Sequence, residues 1–137
     1  MQTSVLIVDD SATVRKVVKR TISQAGFVID VFIEARNGID ALEQLQRITP
    51  SLVVTDINMP EMGGIELIEA MKQQPNLREI PCVVISTEGS HEVIDRMLEL
   101  GVVGFIQKPF RPEELAPVIA PYVQMAVTTR AADPMGF

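Results

Sequence analysis

The chain has 137 residues, enough for one domain with a sizeable buried core. Its 12 Lys and Arg against 18 Asp and Glu leave a formal charge of −6, which argues against a basic nucleic-acid-binding face. With 47% apolar residues, 22% charged residues, 8 Gly, 9 Pro and a lone cysteine, the composition excludes disorder, collagen, a disulfide framework and a cysteine-rich zinc site. The first apolar run, Ser4–Val8, is ended by Asp9 and Asp10. It is too short for a signal peptide or a membrane span, so a soluble cytoplasmic protein without membrane insertion is expected.

Short apolar runs and helical patterns then alternate. Val14, Val17, Val18 and Ile22 share a helical face, Arg15, Lys16, Lys19 and Arg20 take the opposite one, and Gly26 is the stop. Either Asp10 or Ser11 could cap this helix. The second run, Val28–Ala35, is the weakest and is followed by a helix marked by Ala41, Leu42 and Leu45. Leu52–Thr55 precedes a helix carrying Ile65, Ile68 and Met71. Cys82–Ile85 precedes one carrying Val93, Ile94, Met97 and Leu98, stopped by Gly101. After Val102–Ile106, Pro112 opens a fifth helix where its missing N–H does no harm. Pro117 and Pro121 fall inside that helix, and an interior proline costs ~3 kcal/mol. The fifth helix is therefore expected to be kinked or to begin late. Residues 1–125 read as one domain, and 126–137 as a flexible tail, frayed over Thr128–Phe137.

Five strand–helix pairs imply an α/β fold, a doubly wound five-stranded parallel sheet with five flanking helices. Right-handed crossovers put every strand's C-terminal end on one edge, where such sheets bind ligands. The flavodoxin-like order 2-1-3-4-5 gathers the ends of the first, third, fourth and fifth strands in one crevice. Those ends carry Asp9 and Asp10, Asp56, Ser86 and Lys108. Taken singly, Asp56 could be a solvated loop acid and Lys108 an ordinary loop lysine. Their arrival at one sheet edge is what such readings leave unexplained. Three crowded carboxylates repel one another, and burial adds to the cost of ionising them. A divalent cation with oxygen ligands resolves the conflict, and Mg²⁺ suits a few carboxylates, water and phosphate. With Lys108 the charges balance, which suggests phosphate chemistry.

The segments LIVDDS (6–11), VVTDINMPEMGG (53–64), VVIST (83–87) and GFIQKPF (104–110) resemble the receiver domain of two-component response regulators, over roughly residues 4–125. The strand order used above is partly the family's own. The resemblance implies that Asp56 is the phosphoacceptor, attacking phosphohistidine on a histidine kinase or phosphotransfer protein. It implies that Asp10 and Asp56 hold Mg²⁺ directly, with the Asn58 backbone carbonyl, while Asp9 acts through a bound water. Lys108 would pair with phosphoryl oxygens, and Lys108–Pro109 would be cis. Ser86, fifteen residues before Gly101, takes the family's hydroxyl position in preference to Thr87. Phe105 would be the aromatic switch, though without a tyrosine's hydroxyl. The partner surface would comprise the fourth helix, fifth strand and fifth helix.

The expected function is a stand-alone receiver, a signalling phosphoacceptor rather than an enzyme. It would switch contacts with a downstream target protein, in chemotaxis-like or phosphorelay signalling, as a monomer or phosphorylation-dependent dimer. A receiver fragment of a larger regulator is the alternative. A Mg²⁺-dependent aspartate-nucleophile phosphatase would want a second acid where Asn58 stands, and a flavodoxin-like cofactor binder would not place acids where a phosphate binds. His91 reads as a surface histidine, Cys82 as a buried inert thiol, and the basic face of the first helix as solvated or kinase-docking.

Overall fold

The computed structural model describes residues 2–125; the tail expected over 126–137 lies outside the described residues. Five strands form one sheet: β1 (Ser4–Val8), β2 (Val31–Ala35), β3 (Leu52–Thr55), β4 (Cys82–Ser86) and β5 (Gly104–Gln107). All pairings are parallel and the order is β2-β1-β3-β4-β5, as expected. The helices are α1 (Ala12–Gln24), α2 (Gly38–Leu45), α3 (Gly64–Lys72), α4 (His91–Glu99) and α5 (Pro112–Ile119). Among the described residues no helix is long and apolar enough to cross a membrane.

The central strands read as unbroken apolar runs because both their faces are covered. Their side chains alternate between two cores, as the two-residue strand period demands. Leu6, Val8, Val53, Cys82 and Val84 pack with Ala41, Leu45, Leu67, Ile68, Met71 and Met97 of α2, α3 and α4. Val5, Ile7, Leu52, Val54, Val83 and Ile85 pack with Val18 and Ile22 of α1 and Leu115 and Ile119 of α5. The edge strands β2 and β5 are only partly buried, which is why the second run read weakly.

Three boundaries differ from expectation. Val28–Ala35 is not one strand: Asp30 donates its N–H to the Thr3 carbonyl at 2.8 Å and accepts the Thr3 N–H at 2.7 Å, which bends the chain before Val31. Val102 and Val103 precede β5 rather than opening it. The Val102 N–H goes to the Met97 carbonyl (3.1 Å) and closes α4 past Gly101, whose φ is +78°, while the Val103 N–H goes to the Cys82 carbonyl (2.9 Å) at the start of β4. The fifth helix does not begin late. Pro112 occupies its first turn, Leu115 and Ile119 are fully buried, and Pro117 is accommodated inside it. Pro121 has no N–H to continue the ladder, so α5 ends at Ile119 and tightens into a 3₁₀ turn, Ala120–Tyr122. The chain then runs antiparallel to Phe27–Val28 through Gln124–Met125.

Cys82 is 2% exposed, and burial pushes its thiol up to about 11. A thiol reagent at pH 8 should therefore leave the native protein unlabelled and modify one group once urea has unfolded it; labelling of the native protein at the unfolded rate would show this core face to be open.

Candidate functional site

The strand register places the charges. Val8 is level with Thr55, and Thr55 with Val84, so the residues just past β1 and β3 emerge side by side. The Asp56 N–H donates to the Val8 carbonyl at 3.0 Å, and the Asp9 N–H to the Ala35 carbonyl at 3.0 Å, which extends the ladder into the site. The Lys108 N–H donates to the Ser86 carbonyl at 2.9 Å and brings the fifth strand's end to the same place. The Lys108–Pro109 peptide is cis.

The carboxylates of Asp9, Asp10 and Asp56 each offer an oxygen within 4.8 Å of the others. Lys108 Nζ lies 3.3 Å from both Asp9 Oδ2 and Asp56 Oδ2. Asp9 is 4% exposed, Asp56 half-buried and Asp10 exposed. Burial raises the Asp9 carboxyl above the ordinary carboxylate value; the Asp56 charge adds to the rise, while the Ser11 N–H and Lys108 oppose it. Three carboxylates against one ammonium leave a pocket of clustered hard oxygens with two negative charges in excess. That donor set fits a divalent cation of the Mg²⁺ type.

Around this cluster the remaining residues divide. Ser86 is fully buried at the end of β4, and its Oγ accepts the Glu88 N–H at 3.2 Å, while Thr87 is exposed. The two neighbouring hydroxyls thus differ in burial, Ser86 enclosed at the strand end and Thr87 open to solvent. Asn58 is exposed, two positions past Asp56, with its side chain donating to Glu88 Oε1 at 3.0 Å. Phe105 lies away from the acids, partly buried beside a cavity of about 100 Å³ that Ile94, Met97 and Leu98 also line. Ser11, not Asp10, caps α1, accepting the Val14 N–H at 3.2 Å. His91 is exposed at the start of α4.

The loop after β3 is shaped by a close approach. A Cβ on Gly64 would lie 2.0 Å from the Asp56 carbonyl oxygen, and the Gly64 N–H donates to the Ile57 carbonyl at 2.8 Å. Gly64→Ala must push α3 away from the backbone of Asp56. We expect a loss of about 1–3 kcal/mol in urea unfolding, the usual cost of overpacking, together with weaker Mg²⁺ binding; wild-type stability would mean the loop yields freely.

Three residues have partners that the sequence reading missed. Arg15 and Lys19 belong to the face read as solvated or kinase-docking, yet both turn onto Glu34 of β2. Arg15 Nε and Lys19 Nζ each stand 2.7 Å from a Glu34 oxygen, and the Arg15 side chain is only 16% exposed. Lys19 and Arg15 together hold the Glu34 carboxyl below its ordinary range. The available signal was an acid, Glu34, set between Ile33 and Ala35 at the end of an apolar stretch. Glu88 gave none, since its partner Asn58 is 30 positions away.

The response regulator receiver domain model matches residues 5–120. Chemotaxis protein CheY1 of Helicobacter pylori is 38% identical over 111 residues, covering 80% of this chain and 88% of that protein. Chemotaxis protein CheY of Thermotoga maritima is 41% identical over 112 residues, covering 81% and 89% respectively. The structure of chemotaxis protein CheY4 of Vibrio cholerae matches with a TM-score of 0.78 at 32% identity, over 89% of this chain and 99% of that one.

Proposed function

The chain belongs to the response regulator receiver domain family, and from that premise we propose that Asp56 is its phosphoacceptor in chemotaxis-type signalling. The observation that carries the assignment is the shared contact of Lys108 with Asp9 and Asp56, at 3.3 Å each, inside the three-carboxylate cluster. Asp56 Oδ1 is engaged by the Ile57 N–H at 2.6 Å, which leaves Oδ2, facing Lys108, as the nucleophile. Oδ2 forms the new O–P bond as the N–P bond of a partner kinase's phosphohistidine breaks. The imidazole leaves with the bonding electron pair. Asp10, Asp56 and the Asn58 carbonyl would hold Mg²⁺ directly, and Asp9 through water. When bound, the cation screens the carboxylates and the incoming phosphoryl oxygens from one another.

Lys108 then pairs with a phosphoryl oxygen in place of a carboxylate. The buried Ser86 hydroxyl is positioned to exchange its Glu88 contact for another phosphoryl oxygen. Its movement would open space that Phe105 can enter beside Ile94, Met97 and Leu98, re-packing α4 against β5. A switch follows because the phosphoryl contacts exist in only one of the two packings. The readout is a protein contact with a downstream target on the α4–β5–α5 side, in the cytoplasm. Intact mass recorded with Mg²⁺ and acetyl phosphate tests the proposal. One phosphoryl group should be gained only when Mg²⁺ is present, and a chain that gains none, or gains it equally without Mg²⁺, would overturn it.

A further inference from the structure

We propose that Arg15 is a positioning residue for the divalent-cation site, acting through the backbone of Asp9; this rests on the metal reading above. Asp9 is the first residue past β1, and most of its polar groups have partners in the fold itself. Its N–H goes to the Ala35 carbonyl at 3.0 Å, and Oδ1 accepts the Ser11 N–H at 2.9 Å. Its carbonyl has left the sheet ladder, and Arg15 Nη1 donates to it at 2.6 Å. The same guanidinium donates through Nε to Glu34 Oε1 at 2.7 Å, and Lys19 Nζ holds the other Glu34 oxygen at 2.7 Å.

A guanidinium is a rigid planar fork, so fixing Nε on β2 also fixes the direction of Nη1. Arg15 thereby pins the peptide between Asp9 and Asp10, the peptide that aims the exposed Asp10 carboxylate at Asp56. Mg²⁺ demands near-ideal octahedral geometry, whereas Ca²⁺ tolerates irregular oxygen sets. Residues that orient metal ligands from behind are typically worth about 10–100-fold in affinity.

Charge and geometry predict opposite outcomes here. Removing a cation that sits on the Asp9 carbonyl, at the edge of the acidic pocket, should by charge alone tighten cation binding. Freeing the Asp9–Asp10 peptide should weaken Mg²⁺ and spare Ca²⁺. Isothermal titration calorimetry of the full chain with Mg²⁺ and with Ca²⁺, alongside thermal melts, separates the two. We expect Arg15→Gln to bind Mg²⁺ about tenfold more weakly, with Ca²⁺ affinity nearly unchanged. Arg15→Lys should lose almost as much although it keeps the charge, because an ammonium cannot span both acceptors. Glu34→Ala, which keeps Arg15 but removes its anchor, should fall between. Unchanged or tighter Mg²⁺ binding by Arg15→Gln would overturn the proposal, as would equal losses for both ions. Should Arg15→Gln fail to fold, the Mg²⁺-to-Ca²⁺ ratio in Arg15→Lys and Glu34→Ala decides in the same way. A wild-type chain that binds no Mg²⁺ would instead overturn the metal reading itself, and this inference with it.

Discussion

An Asp56→Asn variant incubated with Mg²⁺ and acetyl phosphate will keep its unmodified mass, while the wild-type chain gains one phosphoryl group. The amide is nearly isosteric with the carboxylate, so its oxygen can still accept the Ile57 N–H now held at 2.6 Å, and Lys108 retains Asp9 as a partner at 3.3 Å. The fold should therefore survive and be no less stable without metal, since one of three crowded carboxylates has gone. What disappears is the nucleophile. An amide oxygen has too little electron density to displace a phosphoryl leaving group, and losing a nucleophile costs at least about a thousandfold in rate. Metal binding falls as well, because Asp56 is one of the proposed ligands. Saturating Mg²⁺ raises the wild-type melting temperature by linkage, by about 2.7 kcal/mol of added stability at a hundred times Kd, and the variant should show much less. An acyl phosphate is labile in acid and base, whereas a serine phosphate survives acid. An Asp56→Asn chain that acquires acid-stable phosphate would move the acceptor to a hydroxyl and sink the assignment.

The fold was readable in the sequence where burial is symmetrical. β1, β3 and β4 are covered on both faces, so their apolar runs are continuous, and their ends are marked by the first charged or polar side chain that reaches the sheet edge. The same logic pointed to the candidate site: Asp9, Asp56 and Ser86 stand where buried strands stop, and Lys108 follows the partly buried edge strand β5. Boundaries set by distant partners were not readable. The bend at Asp30 depends on Thr3, 27 positions earlier. Val102 was misread for a local reason: it has the composition of a strand residue while its N–H closes a helix. The inward turn of Arg15, like the bend at Asp30, was hidden by a distant partner. A helical wheel places its Cβ on the outer face, but the long side chain reaches back to Glu34, 19 positions on. Local pattern thus reports burial well, and it reports the paths of long polar side chains poorly.

Lys108→Ala should separate phosphorylation from its consequence. In the wild-type pocket the ammonium is shared between Asp9 Oδ2 and Asp56 Oδ2, with side-chain exposures of 19%, 6% and 14% for lysine and the two acids. Deleting it leaves like charges facing each other with little water between them. The metal-free variant should lose about 2 kcal/mol in urea unfolding, below the ~3–5 kcal/mol of a fully buried broken pair because this one is partly solvated. Mg²⁺ should restore most of that loss, and should bind more tightly than in the wild type, because its resident competitor has gone. The nucleophile remains, so acetyl phosphate still modifies the variant, more slowly. The phosphoryl group, however, has lost the side chain through which it can pull on the end of β5. The Lys108 N–H is bonded to the Ser86 carbonyl, so in the wild type the proposed shift of Lys108 toward the phosphoryl group would be felt at both strand ends at once. Hydrogen exchange measured before and after phosphorylation reads this directly. Wild-type protection should change from Ser86 through α4 and across β5, whereas in Lys108→Ala the change should shrink to the residues around Ser86. If the phosphorylated variant reproduces the full wild-type pattern, Lys108 is only a charge balance for the acids, and the Ser86 hydroxyl alone carries the signal to Phe105.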